Sequence, residues 1–204
     1  MAIPNHLKRI LLALDLEKHM TCRQLAQLLY PEEPIKTTYE RVAKNLSKLQ
    51  KENLLKSKSY GLGKEKLWSL KPNPINKEEG FTPPKAEVHT YKYEHERACA
   101  EVFVKFAQDE IYGWDQHKKI SKEIIPDRTV YLTEDYPLYI EVEMGDRDRV
   151  TQKISNYQRY YRETHEKFRV LFLVKQMRDW PKNPHYQIEI LEKWIENDSR
   201  NHSD

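Results

Sequence analysis

The segment that most constrains the fold of this chain is residues 37–51, which have the periodicity of an amphipathic helix. Thr37-Thr38-Tyr39-Glu40 has the pattern of a capping box, so we expect the helix to begin there. Its apolar side chains recur at intervals of three and four residues: Tyr39, Val42, Ala43, Leu46 and Leu49. Its cations lie nearly opposite on the helical wheel: Arg41, Lys44, Lys48 and Lys51. Such a helix can pack on a domain with one face and offer cations to phosphates or base edges with the other, as a recognition helix does.

Two helices are predicted before this one, and a hairpin after it. Asn5 can cap the first helix, Thr21-Cys22-Arg23-Gln24 forms a capping box for the second, and Pro31 ends the second. Gly61-Leu62-Gly63 then separates two strand-like segments, and its glycines permit the positive φ of a turn. The hairpin carries four cations: Lys56, Lys58, Lys64 and Lys66. The order predicts an α+β winged helix-turn-helix domain over residues 1–71 whose basic helix and hairpin bind double-stranded DNA.

Positive charge is also concentrated in the N-terminal part of the chain. Residues 1–71 hold 14 Lys and Arg against 7 Asp and Glu, whereas the remainder holds 21 against 25. A polyanion is therefore expected to dock on the N-terminal part. No apolar stretch of the sequence is long enough to span a membrane, and we expect no signal peptide. Cys22 and Cys99 are too far apart to suggest a metal-binding pair. We expect a cytoplasmic protein with reduced cysteines and no membrane partner.

Proline marks the predicted domain boundary. Lys71-Pro72-Asn73-Pro74 begins a polar stretch with few apolar residues, and Pro83-Pro84 lies within it. We interpret residues 72–90 as an extended linker, residues 91–196 as a second domain and residues 197–204 as a polar tail.

The second domain has the pattern of an α/β sandwich. A helix over 91–108, with Ala98, Val102, Phe103 and Phe106 inward, precedes strands over 129–132 and 138–144 joined by a turn at Glu134-Asp135. A helix over Val150–Glu163 follows, then a continuous apolar run at 168–174 that predicts a central strand buried on both faces. A short strand and a helix are expected within 187–195.

Three carboxylates in this pattern suggest chemistry. Asp127 stands at the mouth of the first strand, and strand alternation puts Glu141 and Glu143 on one face of the next. Clustered carboxylates repel one another and commonly hold a divalent cation, and Mg²⁺ there would activate water for phosphodiester cleavage. A solvated strand face is the alternative interpretation of Glu141 and Glu143.

Pro126-Asp127 followed by Glu141-Val142-Glu143 resembles the signature of the PD-(D/E)XK nuclease fold. His95 in the preceding helix, and Lys153 with Tyr157 in the following one, are similar to the helix motifs of its RecB-like members. The resemblance implies His95, Asp127 and Glu141 as ligands of Mg²⁺ or Mn²⁺, and Asp127, Glu141, Glu143 and Lys153 as the catalytic group. The whole layout is most similar to the replication-relaxation family of plasmids and other mobile elements of Gram-positive bacteria, which joins a winged helix to a core of this type.

One position departs from that signature. The catalytic lysine of the fold stands two residues after the glutamate, where this chain has Glu143, so the charge is inverted. Lys153 can take over the role of that lysine; otherwise the core has lost cleavage and serves as a DNA-binding or dimerising scaffold.

The basic helix and hairpin predict binding to double-stranded DNA, and the family resemblance implies an accessory protein of a plasmid or other mobile element, acting in replication, relaxation or mobilisation. Its expected partners are duplex DNA, a replication or mobilisation protein, and a second copy of the chain. Two alternatives stay open: an active Mg²⁺- or Mn²⁺-dependent endonuclease, and a dimeric winged-helix transcriptional regulator.

Overall fold

The computed structural model describes residues 3–109, 111–134, 136–145, 147–180 and 183–194. The chain is of the α+β class and divides into two compact units, Met1–Gln108 and Asp109–Asp204. Within the described ranges, no helix combines the length and apolar character needed to cross a bilayer. Cys22 and Cys99 are both buried and are not joined by a disulfide.

The first unit begins with three helices: α1 (Asn5–Leu16), α2 (Cys22–Leu29) and α3 (Ile35–Lys51). The apolar stripe of α1 is fully buried, as predicted, at Leu7, Ile10, Leu11 and Leu14. The capping box of α2 is also confirmed. The Thr21 hydroxyl accepts from the amide of Gln24 at 3.2 Å, and the Gln24 side chain accepts from the amide of Thr21 at 2.9 Å. These contacts satisfy two amide groups that a helix terminus otherwise leaves unpaired.

Two helix starts differ from the prediction. Asn5 is the first residue of α1 rather than its cap, and Pro4 precedes it without a side-chain hydrogen bond. Helix α3 begins at Ile35 instead of Thr37, and Pro34 is its N-cap residue. A proline suits the start of a helix because it has no amide hydrogen, and the amide hydrogens of the first turn have no partner within the helix. The hydroxyl of Thr38 donates to the Pro34 carbonyl at 3.3 Å and the Ile35 carbonyl at 3.0 Å, and Thr38 is buried in place of the predicted Tyr39.

An antiparallel hairpin follows the helices. Strands β1 (Leu55–Lys58) and β2 (Leu67–Leu70) are shorter than the strand-like segments 54–60 and 64–70 that the sequence indicates, and Leu55 lies opposite Leu70. Gly61 and Gly63 have φ of 115° and 73°, which confirms the positive φ expected of the turn. Met20, between α1 and α2, forms a further antiparallel bridge to Trp68.

The segment predicted as an extended linker is folded onto the first unit. It contains helix α4 (Pro74–Glu78), and the buried amide of Asn76 donates to the carbonyls of Leu54 at 2.9 Å and Lys71 at 2.8 Å. Phe81 and Val88 are buried as well. The segment therefore packs on the first unit through hydrogen bonds and buried side chains, which an extended linker would not have.

The next helix belongs to the same unit. Helix α5 (Tyr93–Phe106) follows a 3-10 turn, and its Glu101 accepts from the side-chain amide of Gln24 in α2 at 3.0 Å. That amide also donates to the Arg97 carbonyl at 2.8 Å. The chain therefore divides after Gln108, whereas the predicted second domain began at residue 91.

The second unit is built on a mixed five-stranded sheet. Its strands are β3 (Gly113–Gln116), β4 (Arg128–Thr133), β5 (Tyr136–Glu143), β6 (Arg169–Val174) and β7 (Tyr186–Ile190), in that spatial order. Strands β3, β4 and β5 pair antiparallel, and β5, β6 and β7 pair parallel. Helix α6 (Arg147–Thr164) connects β5 to β6, since parallel neighbours need a crossover.

The core of this unit is aromatic. Tyr139 of β5, Tyr157 of α6, and Phe168 and Phe172 around β6 lie with ring centroids 5.4–6.1 Å apart. All residues from 170 to 174 are buried, which confirms the predicted central strand. Strand β3 was not predicted, and β7 is followed by a 3-10 turn, Leu191–Lys193. Three parts of the predictions lie outside the described residues: Asp135 of the turn, the end of the second domain at 195–196, which includes the last residue of the predicted final helix, and the tail 197–204.

Candidate functional sites: a basic helix and a carboxylate–lysine cluster

The basic face of α3 consists of three exposed lysines, Lys44, Lys48 and Lys51. Among the residues that the structure describes, none of them forms an ion pair. Val42, Leu46 and Leu49 lie buried on the other side of the helix. Arg41 belongs to the same stripe but is engaged: its guanidinium donates to both carboxylate oxygens of Glu33, at 3.1 and 3.0 Å.

Three hairpin lysines also have carboxylate partners. Lys56 and Lys58 lie 3.6 and 3.3 Å from the carboxylate oxygens of Glu87, and Lys64 lies 3.2 Å from Glu94. Lys66 is exposed and has no ion pair within the described part of the chain. The sequence pattern put the hairpin cations in one group with those of α3. In the structure, Arg41, Lys56, Lys58 and Lys64 have carboxylate partners, whereas Lys66 and the three lysines of α3 have none among the described residues.

The second unit contains what we term the carboxylate–lysine cluster: Asp127, Glu141, Glu143, Lys153 and Tyr157. Asp127 immediately precedes β4, whereas Glu141 and Glu143 share one face of β5 because strand side chains alternate. Lys153 and Tyr157 stand one helical turn apart on α6, so both point to the same side. The structure thus brings together the four residues that the sequence named as a catalytic group.

Lys153 contributes the ammonium group of this cluster, and the exposed Arg149 lies 3.7 Å from Oε2 of Glu143. The ammonium group of Lys153 donates to Glu141 and lies 2.5 Å from Oε1 of Glu143. The hydroxyl of Tyr157 donates to the second oxygen of Glu141 at 2.8 Å. Glu141 and Glu143 are 1 % and 4 % exposed, so the alternative of a solvated strand face is wrong.

Asp127 is fixed by the backbone of β5. Its Oδ2 accepts from the amide of Val142 at 2.9 Å. The next residue, Arg128, is fully buried and donates to the Asp127 carbonyl at 2.7 Å. Arg128 was not among the predicted site residues, although an arginine inside a strand next to a predicted site residue is an unusual feature.

Burial dominates the electrostatics of the cluster. Burial and then the charge of Asp127 raise the pKa of Glu141 to about 7, although Lys153 and Tyr157 act in the opposite direction. Burial by itself lowers the pKa of Lys153, but the surrounding carboxylates outweigh it and the net pKa is raised. Burial, followed by the charge of Glu141, raises the pKa of Tyr157 well above its usual value. Lys153 therefore stays charged at neutral pH, while Glu141 titrates in that range.

In this structure the carboxylates of the cluster face a cation of the protein itself. Within the described ranges, no group of three or more His, Cys, Asp and Glu side chains is placed to hold a metal ion. The ammonium of Lys153 lies against both Glu141 and Glu143, where a bound cation would meet them. The implied third ligand, His95, lies on α5 in the first unit, with its ring nitrogen 3.9 Å from the sulfur of Cys99 and 3.7 Å from Glu96.

The chain matches the model of a known protein family. Residues 11–172 match the model of a protein family described as replication-relaxation, which covers both units in large part. No curated protein and no solved structure matches the chain. The description of the family indicates a replication-related role.

Proposed function

The chain belongs to the replication-relaxation family, and from that premise we propose that it is a double-stranded DNA-binding accessory protein of a plasmid or mobile element. Its first unit binds the duplex as a winged helix. Its second unit is a PD-(D/E)XK-like core that has lost cleavage and serves as a scaffold for DNA or a replication protein.

The observation that carries DNA binding is the basic face of α3. Lys44, Lys48 and Lys51 are exposed and have no acidic partner among the described residues, while the opposite face of the helix is buried. Free ammonium groups along one helix face can neutralise successive phosphates and release their counterions. A helix held by its apolar face and free on its basic face can enter the major groove.

The order of elements supports a winged helix. Helices α2 and α3 are separated by five residues, 30–34, and form the helix-turn-helix pair, with α3 in the position of the recognition helix. The β1–β2 hairpin follows as the wing, and the bridge between Met20 and Trp68 ties its second strand to the start of α2.

The carboxylate–lysine cluster supports a scaffold without cleavage. An aspartate before one strand, acidic residues on the next strand and a helix after it follow the nuclease pattern. Glu143 nevertheless occupies the place of the lysine, and Lys153 neutralises the carboxylates from α6. With this internal cation in place, the cluster has no unoccupied set of acidic ligands.

Duplex binding is tested by fluorescence anisotropy with labelled double-stranded DNA over a range of salt concentrations. Replacing Lys44 and Lys48 with Ala should weaken binding about tenfold at about 100 mM salt and lower the salt slope by about 2. The matched control replaces Lys77 and Lys85, two exposed lysines of the same unit without ion pairs among the described residues. Equal losses in the two double variants would overturn the assignment of α3.

Cleavage is tested by nicking of supercoiled plasmid with Mg²⁺ or Mn²⁺. We expect binding without nicking in the unmodified protein. Nicking that disappears in both Asp127→Ala and Glu141→Ala would contradict the scaffold and establish a metal-dependent endonuclease instead.

A further inference from the structure

The segment from residue 87 to residue 94, which we term the acidic clamp, lies along the hairpin of the first unit. Glu87 faces two lysines of β1, at 3.6 Å from Lys56 and 3.3 Å from Lys58. Glu94 faces Lys64 of the turn at 3.2 Å. Two carboxylates therefore neutralise three of the four cations of the predicted wing.

Hydrogen bonds to backbone carbonyls and buried aromatic and apolar side chains anchor the clamp. Tyr60 and Lys58 both donate to the carbonyl of Val88, at 3.0 and 3.1 Å. The Tyr93 hydroxyl donates to the Glu65 carbonyl at 3.1 Å, and the rings of Tyr60 and Tyr93 lie 4.8 Å apart. Tyr60, Leu67, Val88 and Tyr93 form one buried cluster, so the position of the clamp does not depend on its charges.

The ion pairs themselves are exchangeable. The side chains of Glu87 and Glu94 are 59 % and 44 % exposed, and ion pairs in such surroundings contribute little to stability. A phosphate can replace either carboxylate at each lysine with similar geometry. The hydrogen bond from Lys58, together with the charge of Lys56, lowers the pKa of Glu87, so Glu87 stays ionised at neutral pH.

We propose that the acidic clamp is a built-in competitor of DNA for the hairpin lysines. The basic face of α3 makes the first contacts with a duplex, and Lys56, Lys58 and Lys64 contribute only when phosphates displace Glu87 and Glu94. The hairpin is thereby restrained by residues that lie well beyond it in the chain. This inference rests on the proposed duplex binding and adds an autoinhibitory contact to it.

The first test compares Glu87→Gln with Glu78→Gln by anisotropy on one duplex. Both variants lose one negative charge, but Glu78 is exposed on α4 and has no cation partner within the described part of the chain. Glu87→Gln should bind roughly threefold to tenfold more tightly than the unmodified protein and show a steeper salt dependence, because two lysines are released. Equal affinities of the two variants would overturn the clamp.

A second comparison asks whether the gain comes from those two lysines. Replacing Lys56 and Lys58 with Met should change the affinity of the unmodified protein less than about twofold, but should remove the whole gain from Glu87→Gln. If the Met variant weakens the unmodified protein as much as replacing Lys44 and Lys48 does, the hairpin already contacts DNA and the inference is wrong. If the unmodified protein binds no duplex, the proposed function fails instead, so the two failures are distinguishable.

Discussion

Helices α3 and α6 use the same residue type in opposite ways. Lys44 and Lys48 of α3 lie on the exposed face without an ion pair among the described residues. Lys153 of α6 lies on the buried face, between Val150 and Tyr157, and contacts two carboxylates of β5. Each helix packs through its apolar stripe, so the position of a lysine relative to that stripe decides which role it has.

This difference separates two kinds of contribution. An exposed lysine adds almost nothing to folding but stays available to a polyanion. A buried lysine among carboxylates is needed by the fold, because removing it leaves negative charge without compensation. Affinity for DNA should therefore depend on α3 and the free energy of unfolding on Lys153.

Lys153→Met should have the largest effect on stability. Methionine keeps the length of the side chain and removes the ammonium, which leaves the buried Glu141 and Glu143 beside Asp127 with only the exposed Arg149 near Glu143. We expect the free energy of unfolding to fall by about 3 kcal/mol or more at about pH 8. Urea unfolding followed by tryptophan fluorescence measures this well, since Trp114, Trp180 and Trp194 all belong to the second unit.

Lys122→Met is the matched control in that unit. Lys122 is exposed and without an ion pair among the described residues, so its replacement should change stability within about 0.5 kcal/mol. If Lys153→Met were equally mild, Lys153 would not be the counter-cation of the carboxylates.

Elements with strong local periodicity were predictable from the sequence. The stripe of α1, the capping box of α2 and the apolar strand β6 are all set by neighbours within a few residues. Strand β3 has four residues without alternating hydrophobicity, and α4 has five beside prolines, so neither carries a pattern of its own. Both depend on packing against residues distant in sequence.

The sequence also allowed us to predict that the residues of the carboxylate–lysine cluster lie together, but not which of them contact one another. Strand alternation places Glu141 and Glu143 on one face, and the next helix returns Lys153 to that face. Which carboxylates the ammonium contacts depends on how α6 packs on the sheet. The acidic clamp was missed for a similar reason: Lys58 and Glu87 are 29 residues apart, and no local pattern links them.

The pH dependence of stability tests the carboxylates of the same cluster, and Glu141 in particular. Burial raises the pKa of Glu141 to about 7 from about 4.5. A group whose pKa is raised on folding stabilises the fold fully below its unfolded pKa, and this contribution is lost as pH rises through the folded pKa. Relative to Glu141→Gln, the unmodified protein should lose on the order of 3 kcal/mol of unfolding free energy between about pH 4.5 and 8. A constant difference between the two proteins across that range would show that Glu141 titrates normally.

The smallest effect on stability is expected for Lys44→Met, and it makes the comparison between α3 and α6 sharpest. Methionine and lysine have similar helix propensities, and Lys44 lies in the middle of α3, away from the charge-sensitive last turn. The free energy of unfolding should therefore stay within about 0.5 kcal/mol, while duplex affinity falls roughly twofold to fivefold because one phosphate contact is lost. Circular dichroism during urea unfolding measures the first quantity and anisotropy the second. A loss of stability as large as that of Lys153→Met would mean that Lys44 has an intramolecular partner, and its face of α3 would then not be free for DNA.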